Sequence, residues 1–167
     1  ILFLLVIASQ AQATVDTYLM GGDDFLKITD VNRQAESWGT CAAVYDITAM
    51  LYEDKPNQAE QFGNFANGAE LAVIMTHVSD SIKSDLSPES FNAMWAYSKT
   101  LGESISKTRM TSIFAEAEAL GGFASTEFLN KLAATLKVCV NNLEGQQLYV
   151  DMWRKLAKSG LLVNETL

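Results

Sequence analysis

The residues able to do chemistry are few. The sequence holds one histidine, His77, and two cysteines, Cys41 and Cys139. On a helix His77 and Asp80 stand three positions apart, so the carboxylate can orient the ring as a general base. A nucleophile is then required, and the sequence has no G-x-S-x-G elbow to present one. A His–Cys pair fails too if the cysteines are oxidised, because the thiolate is the nucleophile. A hydrolase-type enzyme using His77 is therefore the weakest functional reading, and a structural or surface histidine the stronger one. Di-iron bundles need Glu-x-x-His on two helices; Ile74 stands where the glutamate would be. Zinc needs more His or Cys than the chain offers. Gly22-Asp23-Asp24 and Asp30-x-Asn32 contain oxygen ligands, but neither completes a calcium loop. They read as loop or cap residues. Nor is there a phosphate-cradling glycine loop. The expectation is no catalytic, metal or cofactor site.

Cys41 and Cys139 are too far apart in sequence for a C-x-x-C redox motif or a zinc knuckle. In an oxidising compartment two lone cysteines pair, and here the bridge would tie an early helix to a late one. The competing reading is two buried thiols, since free cysteine is common in cores. Trp38, Trp95 and Trp153 fall one each on the apolar sides of three helical segments. They are candidate aromatics of a ligand pocket, with core packing as the default. Asn64, Asn67, Asn141, Asn142 and Gln146-Gln147 form polar clusters that can hydrogen-bond a partner or each other.

Location follows from the first residues. Residues 1–8 read ILFLLVIA, and Ala11-x-Ala13 supplies the small-x-small pattern of a signal-peptidase site. The run is shorter than the roughly 20 residues that span a bilayer. Residues 1–13 thus read as a signal peptide lacking its start, and 14–167 as one helical domain beginning near Thr14. The rival is a buried N-terminal element. No cysteine follows the apolar run, which disfavours a lipid anchor. The formal charge of −8 disfavours nucleic acid and anionic membranes, both of which attract clustered Lys and Arg. Asn164-Glu165-Thr166 matches a glycosylation sequon and reads as chance. A periplasmic or secreted protein is expected.

The elements that position these residues are helices. Over 31–53, Trp38, Cys41, Ala42, Tyr45, Ala49 and Tyr52 keep helical spacing, and Val44, Ile47 and Leu51 add a second stripe. So wide an apolar arc predicts burial on more than one side. A second helix spans 56–83. Its Gly63 and Gly68 each cost about 1 kcal/mol against Ala, which suggests close approach of a neighbouring helix, with a kink as the alternative. Ser87-Pro88-Glu89 is a helix start. Phe91, Met94, Trp95, Ser98 and Leu101 follow it, and a separate shorter helix is predicted over 111–120, ended by Gly121-Gly122. Ser125 or Thr126 caps the next helix, with Phe128, Leu132, Leu136, Cys139 and Leu143 inward. Gly145 is a break or bend, and 146–158 continues with Leu148, Tyr149, Met152, Trp153 and Leu156. Nothing alternates as a strand.

The sequence therefore predicts an all-α, single-domain bundle of five to six helices with one long-range disulfide. Its expected role is non-enzymatic: binding another protein, or self-associating, outside the cytosol. The alternative is a carrier of a small apolar ligand in the bundle interior.

Overall fold

The computed structural model describes residues 16–19, 24–82 and 87–161. The signal-peptide region, the first two residues after it and the sequon lie outside them. A 3-10 turn, Phe25–Lys27, precedes five helices: α1 (Val31–Leu51), α2 (Pro56–Ser81), α3 (Pro88–Ala119), α4 (Thr126–Asn141) and α5 (Leu143–Lys158). The fold is all-α, with no strand among the described residues.

The ends of the helices follow local chemistry. Asp30 caps α1, its Oδ1 accepting from Arg33 N–H at 2.8 Å. The turn Tyr52–Lys55 delivers Pro56 to the first position of α2, where its missing N–H is harmless. Ser87 caps α3 by accepting from Ser90 N–H. Ser125 occupies the cap position of α4 without a side-chain cap bond. Gly121, Gly122 and Gly160 have positive φ, the conformation that stops a helix at low steric cost for glycine alone.

Helix α1 is the centre of the molecule. Residues 37–45 are buried at every position, so the helix is enclosed on all sides, as its wide apolar arc predicts. Ala42 and Tyr45 share a core cluster with Ala66, Ala69 and Ala72 of α2; these small residues let the two backbones approach closely. Val44 and Ile47 pack in a second cluster with Ile113 and Ala117 of α3 and Phe128 and Leu132 of α4. Trp38 meets the edge of Phe25 on one side and Tyr149 of α5 on the other, with centroids 4.8 and 5.9 Å away. Ser37, Thr40 and Thr48 are polar residues inside this envelope. Each satisfies its hydroxyl on the carbonyl four residues back.

Cys41 and Cys139 form a disulfide, with Cα atoms 5.5 Å apart. It joins α1 to α4 as the stripe positions of the two residues predict. Two further ties hold α4. Lys131 Nζ bonds Glu116 of α3 at 2.8 Å and Asp16 at 3.2 Å, and Thr135 Oγ1 accepts from Tyr18 N–H. The elbow between α4 and α5 is Asn142. Its Oδ1 accepts from Phe25 N–H and its Nδ2 donates to Val138 O, fastening the 3-10 turn to the elbow.

Three details differ from the sequence reading. Residues 88–119 form one helix, about 48 Å long at 1.5 Å per residue, in place of two. Glu103 and Lys107 are exposed on the solvent face of this helix as it continues across α1 and α2. Gly145 sits inside α5, and the break falls at Asn142. Gly63 has no described atom near the position of a side chain, whereas Gly68 lies directly against Gln146, so only Gly68 serves a close approach.

The α3 crossing is set by two glycines. A Cβ on Gly39 would lie 2.6 Å from Ile105 Cγ2, and one on Gly102 would lie 2.9 Å from Ile74 Cγ1. Gly39→Ala thus opposes two effects. Helix propensity favours alanine by about 0.8–1 kcal/mol; overpacking against a β-branched neighbour costs about 1–3 kcal/mol. Packing should win. Urea denaturation is expected to show Gly39→Ala destabilised, and Ile105→Leu, which removes Cγ2, should recover part of the loss in a double-mutant cycle. A stabilised Gly39→Ala would contradict this account of the crossing.

Candidate functional site

An apolar groove lies at one end of the bundle. Helix α1 contributes Thr48 and Leu51, the turn after it Tyr52, α2 contributes Phe62, and α4 contributes Leu129, Leu132, Ala133 and Leu136. Phe123, in the α3–α4 connection, closes one side. The groove encloses about 680 Å³, and a neighbouring hollow of about 550 Å³ around Met50 and Ala59 shares Leu51 and Phe123 with it.

Rigid elements hold the aromatic walls. The positive-φ pair Gly121-Gly122 turns the chain so that Phe123 lands edge-on to Phe114 and Phe128, at 5.3 and 5.4 Å. Tyr52 stacks on Phe62 at 5.8 Å with nearly parallel rings, and Lys55 Nζ sits 5.1 Å from the Tyr52 centroid. Between these walls large apolar side chains face solvent: Met50 is 55% exposed, Leu51 42%, Leu129 40% and Phe123 37%. Singly, exposed apolar residues are ordinary; gathered around one groove they mark a contact surface. Glu53 lines the neighbouring hollow, and the exposed Asp54 and Glu60 each follow a residue that lines it, against the exposed Lys55, so the α1–α2 side is acidic.

The residues singled out in the sequence lie elsewhere. Trp38 is sealed in the core, Trp95 is buried, and Trp153 packs partly buried against the same cluster. None lines the groove. His77 is 8% exposed near the end of α2, and its Nε2 has no hydrogen-bond partner among the described residues. Burial lowers its pKa, and the charge of Asp80 only partly opposes this; the ring is held neutral. Among the described residues no cluster of three or more His, Cys, Asp or Glu side chains is arranged to hold a metal. Leu51, Leu148 and Met152, assigned to apolar faces, are substantially exposed. The groove itself was not visible in the sequence. Its one signal was Phe123, a large apolar residue placed directly after a glycine pair.

No family model, curated protein or solved structure matches the chain. No helix among the described residues is long and apolar enough to cross a membrane.

Burial of His77 has a pH signature. With its pKa lowered from 6.5 in the fold, the unfolded chain takes up a proton first as pH falls. The stabilising contribution is complete above the ordinary histidine range. It declines as pH falls through 6.5 and levels off below the folded-state pKa. Asp46 and Glu70 act with the opposite sign. Burial raises both, and for Glu70 the charges of Glu103 and Asp46 add to it. Acidification through the carboxylate range therefore relieves a cost. Between pH 7.5 and pH 5, wild type should lose stability that His77→Gln does not lose. A stability difference between the two that is independent of pH would contradict the neutral, buried ring.

Proposed function

We propose that this protein is exported and acts without enzymatic chemistry, by binding an apolar-faced, basic segment of another protein in the groove between α1, α2 and α4. One observation carries the reading: Leu51, Phe123 and Leu129 are exposed around a groove whose walls are braced by packed aromatic rings, and Met50 is exposed in the hollow that adjoins it. A helix or loop seating apolar residues there removes that surface from water, which is the dominant favourable term in association. The acidic α1–α2 side selects basic flanks on the segment and steers it in from solution. Export is supported by the Cys41–Cys139 bond, since such bonds persist in oxidising compartments, and by the apolar run that precedes Ala11-x-Ala13.

A second reading is a carrier of a small apolar ligand. The groove's 680 Å³ lies within the range of small-molecule sites, and the Tyr52–Phe62 pair offers an aromatic wall. The groove's long, open flank of aliphatic side chains suits a polypeptide better.

Photo-crosslinking separates the two. A benzophenone amino acid at Leu51 or Phe123 should yield a discrete protein adduct in the native host, and one at the exposed Tyr97 of α3 should not. With the adducted partner purified, Leu129→Asp should weaken binding more than tenfold. Glu53→Lys with Asp54→Lys should weaken it further at low salt than at high salt. A bound small mass in native mass spectrometry, without a protein adduct, would favour the carrier. Partner binding indifferent to both sets of substitutions would remove the groove from the account.

A further inference from the structure

The outer face of α5 is apolar where a solvated helix face is polar. Its inner face is complete: Gly145, Gln146 and Tyr149 are buried, and Leu143, Trp153 and Leu156 pack partly buried against the core. Leu148 and Met152 take no part in that packing. Leu148, at 55%, is the most exposed leucine described, and Met152, one turn on, is exposed as well. Leu26 joins them. It lies over Gly145, 3.3 Å from where a Cβ would stand, and supplies an exposed aliphatic side chain where the helix has none. Leu26 and Leu148 also line a depression of about 440 Å³ at the start of α5. None of these residues lines the apolar groove. We infer that this face is a homodimer interface, on which α5 of a second copy of the chain lies antiparallel.

The charges select that occupant. At about 100° per residue, Glu144, Leu148, Met152 and Lys155 fall within an arc of about 80° on the helix. Glu144 stands one turn before the apolar pair and Lys155 about one turn after it, both on the same flank of it. Acid at a helix start and base at its end suit the helix dipole in any protein. The dipole does not account for bare apolar surface held between them, and an antiparallel second α5 does. A two-fold axis beside position 150 sets Leu148 against Met152 of the second copy, and Glu144 against its Lys155, at both ends of the contact. A parallel pairing would set Glu144 against Glu144 and Lys155 against Lys155, and like charges in contact are costly.

The neighbouring charges leave these two available. Among the described residues neither Glu144 nor Lys155 makes an ion pair. Asp24, which shares the depression with Glu144, is taken by Lys27 at 2.8 Å. Asp151, at the edge of the face, accepts from Gln147 and Arg154 of its own helix. Glu144 is thus the carboxylate left at the depression for an incoming Lys155, whose aliphatic stem can lie along Leu26 and Leu148. The helix is 16 residues long, about 24 Å. That makes a small interface, with a dissociation constant expected to be weaker than about 1 µM.

Sedimentation velocity of the disulfide-bonded chain, from micromolar to millimolar concentration, tests the inference. A reversible monomer–dimer equilibrium is expected. Glu144→Lys and Lys155→Glu should each weaken it tenfold or more, and further at low salt than at high salt. The two substitutions move the net charge in opposite directions, so general repulsion between acidic chains would weaken one variant and strengthen the other. The double variant rebuilds both pairs with their signs exchanged and should return to within about threefold of wild type. Leu148→Gln should weaken the dimer at any salt, and Leu129→Asp, in the apolar groove, should leave it intact. All these positions are exposed, and circular dichroism verifies that each variant keeps its helices. Four results would overturn the inference: a monomer at millimolar concentration, association indifferent to both charge reversals and to Leu148→Gln, no recovery in the double variant, or dissociation caused by Leu129→Asp, which would place the contact at the groove.

Discussion

The bond between Cys41 and Cys139 is the constraint on which the arrangement depends. It spans 98 residues of sequence. Loop-closure entropy for a loop of that length is worth up to about 4.7 kcal/mol, a large fraction of the stability of an ordinary domain. Its position matters as much as its size. Helices α1 and α2 are adjacent in sequence and pair through a four-residue turn, so their contact forms locally. Helix α4 returns to α1 only after the whole length of α2 and α3. Without the bond, the second core cluster around Phe128 and Leu132, the Lys131 pairs with Glu116 and Asp16, and the hydrogen bonds of Thr135 and Asn142 to Tyr18 and Phe25 would hold it.

The groove is a consequence of that geometry. Cys41 meets Cys139, while Thr48 and Leu51 share the groove with Leu132 and Leu129; residue numbers rise along one helix as they fall along the other, so the pair is antiparallel. The bond clamps α4 near its C-terminal end, under one turn from Leu136 of the groove lining, and about two turns from Thr48 along α1. At the far end Phe62 and Phe123 stand beside the two helices, and the exposed parts of Leu51 and Leu129 lie between them.

Much of this was legible from residue types. The disulfide followed from two lone cysteines on inward stripes, the enclosure of α1 from its double apolar stripe, and the α3 start from Ser87-Pro88-Glu89. The continuity of α3 was not legible. Between Gly102 and Met110 the apolar repeat fades to Ile105, which packs on the core cluster beside Gly39, a contact across 66 positions. The groove was hidden for a related reason. A helix pattern says which residues are apolar, not whether anything stands opposite them. Leu51 looks like Ile47, four residues earlier on the same stripe, yet one is 42% exposed and the other 1%. Gly63 and Gly68 repeat the lesson on α2. Both interrupt an apolar helix, and only the second faces a neighbour.

The central claim is that the Cys41–Cys139 bond holds α4 on α1 and so builds the groove. Native-state hydrogen exchange on the oxidised protein and on the Cys41→Ser/Cys139→Ser variant tests it most directly. In the oxidised protein, amides 128–139 of α4 should be protected to nearly the same opening free energy as amides 42–48 of α1. In the variant, the α4 amides should exchange through a separate, lower-energy opening, while amides 42–48 and 69–76 of the α1–α2 pair still exchange only with global unfolding. If α4 keeps protection equal to α1 without the bond, packing alone holds it in place, and the groove does not depend on the disulfide.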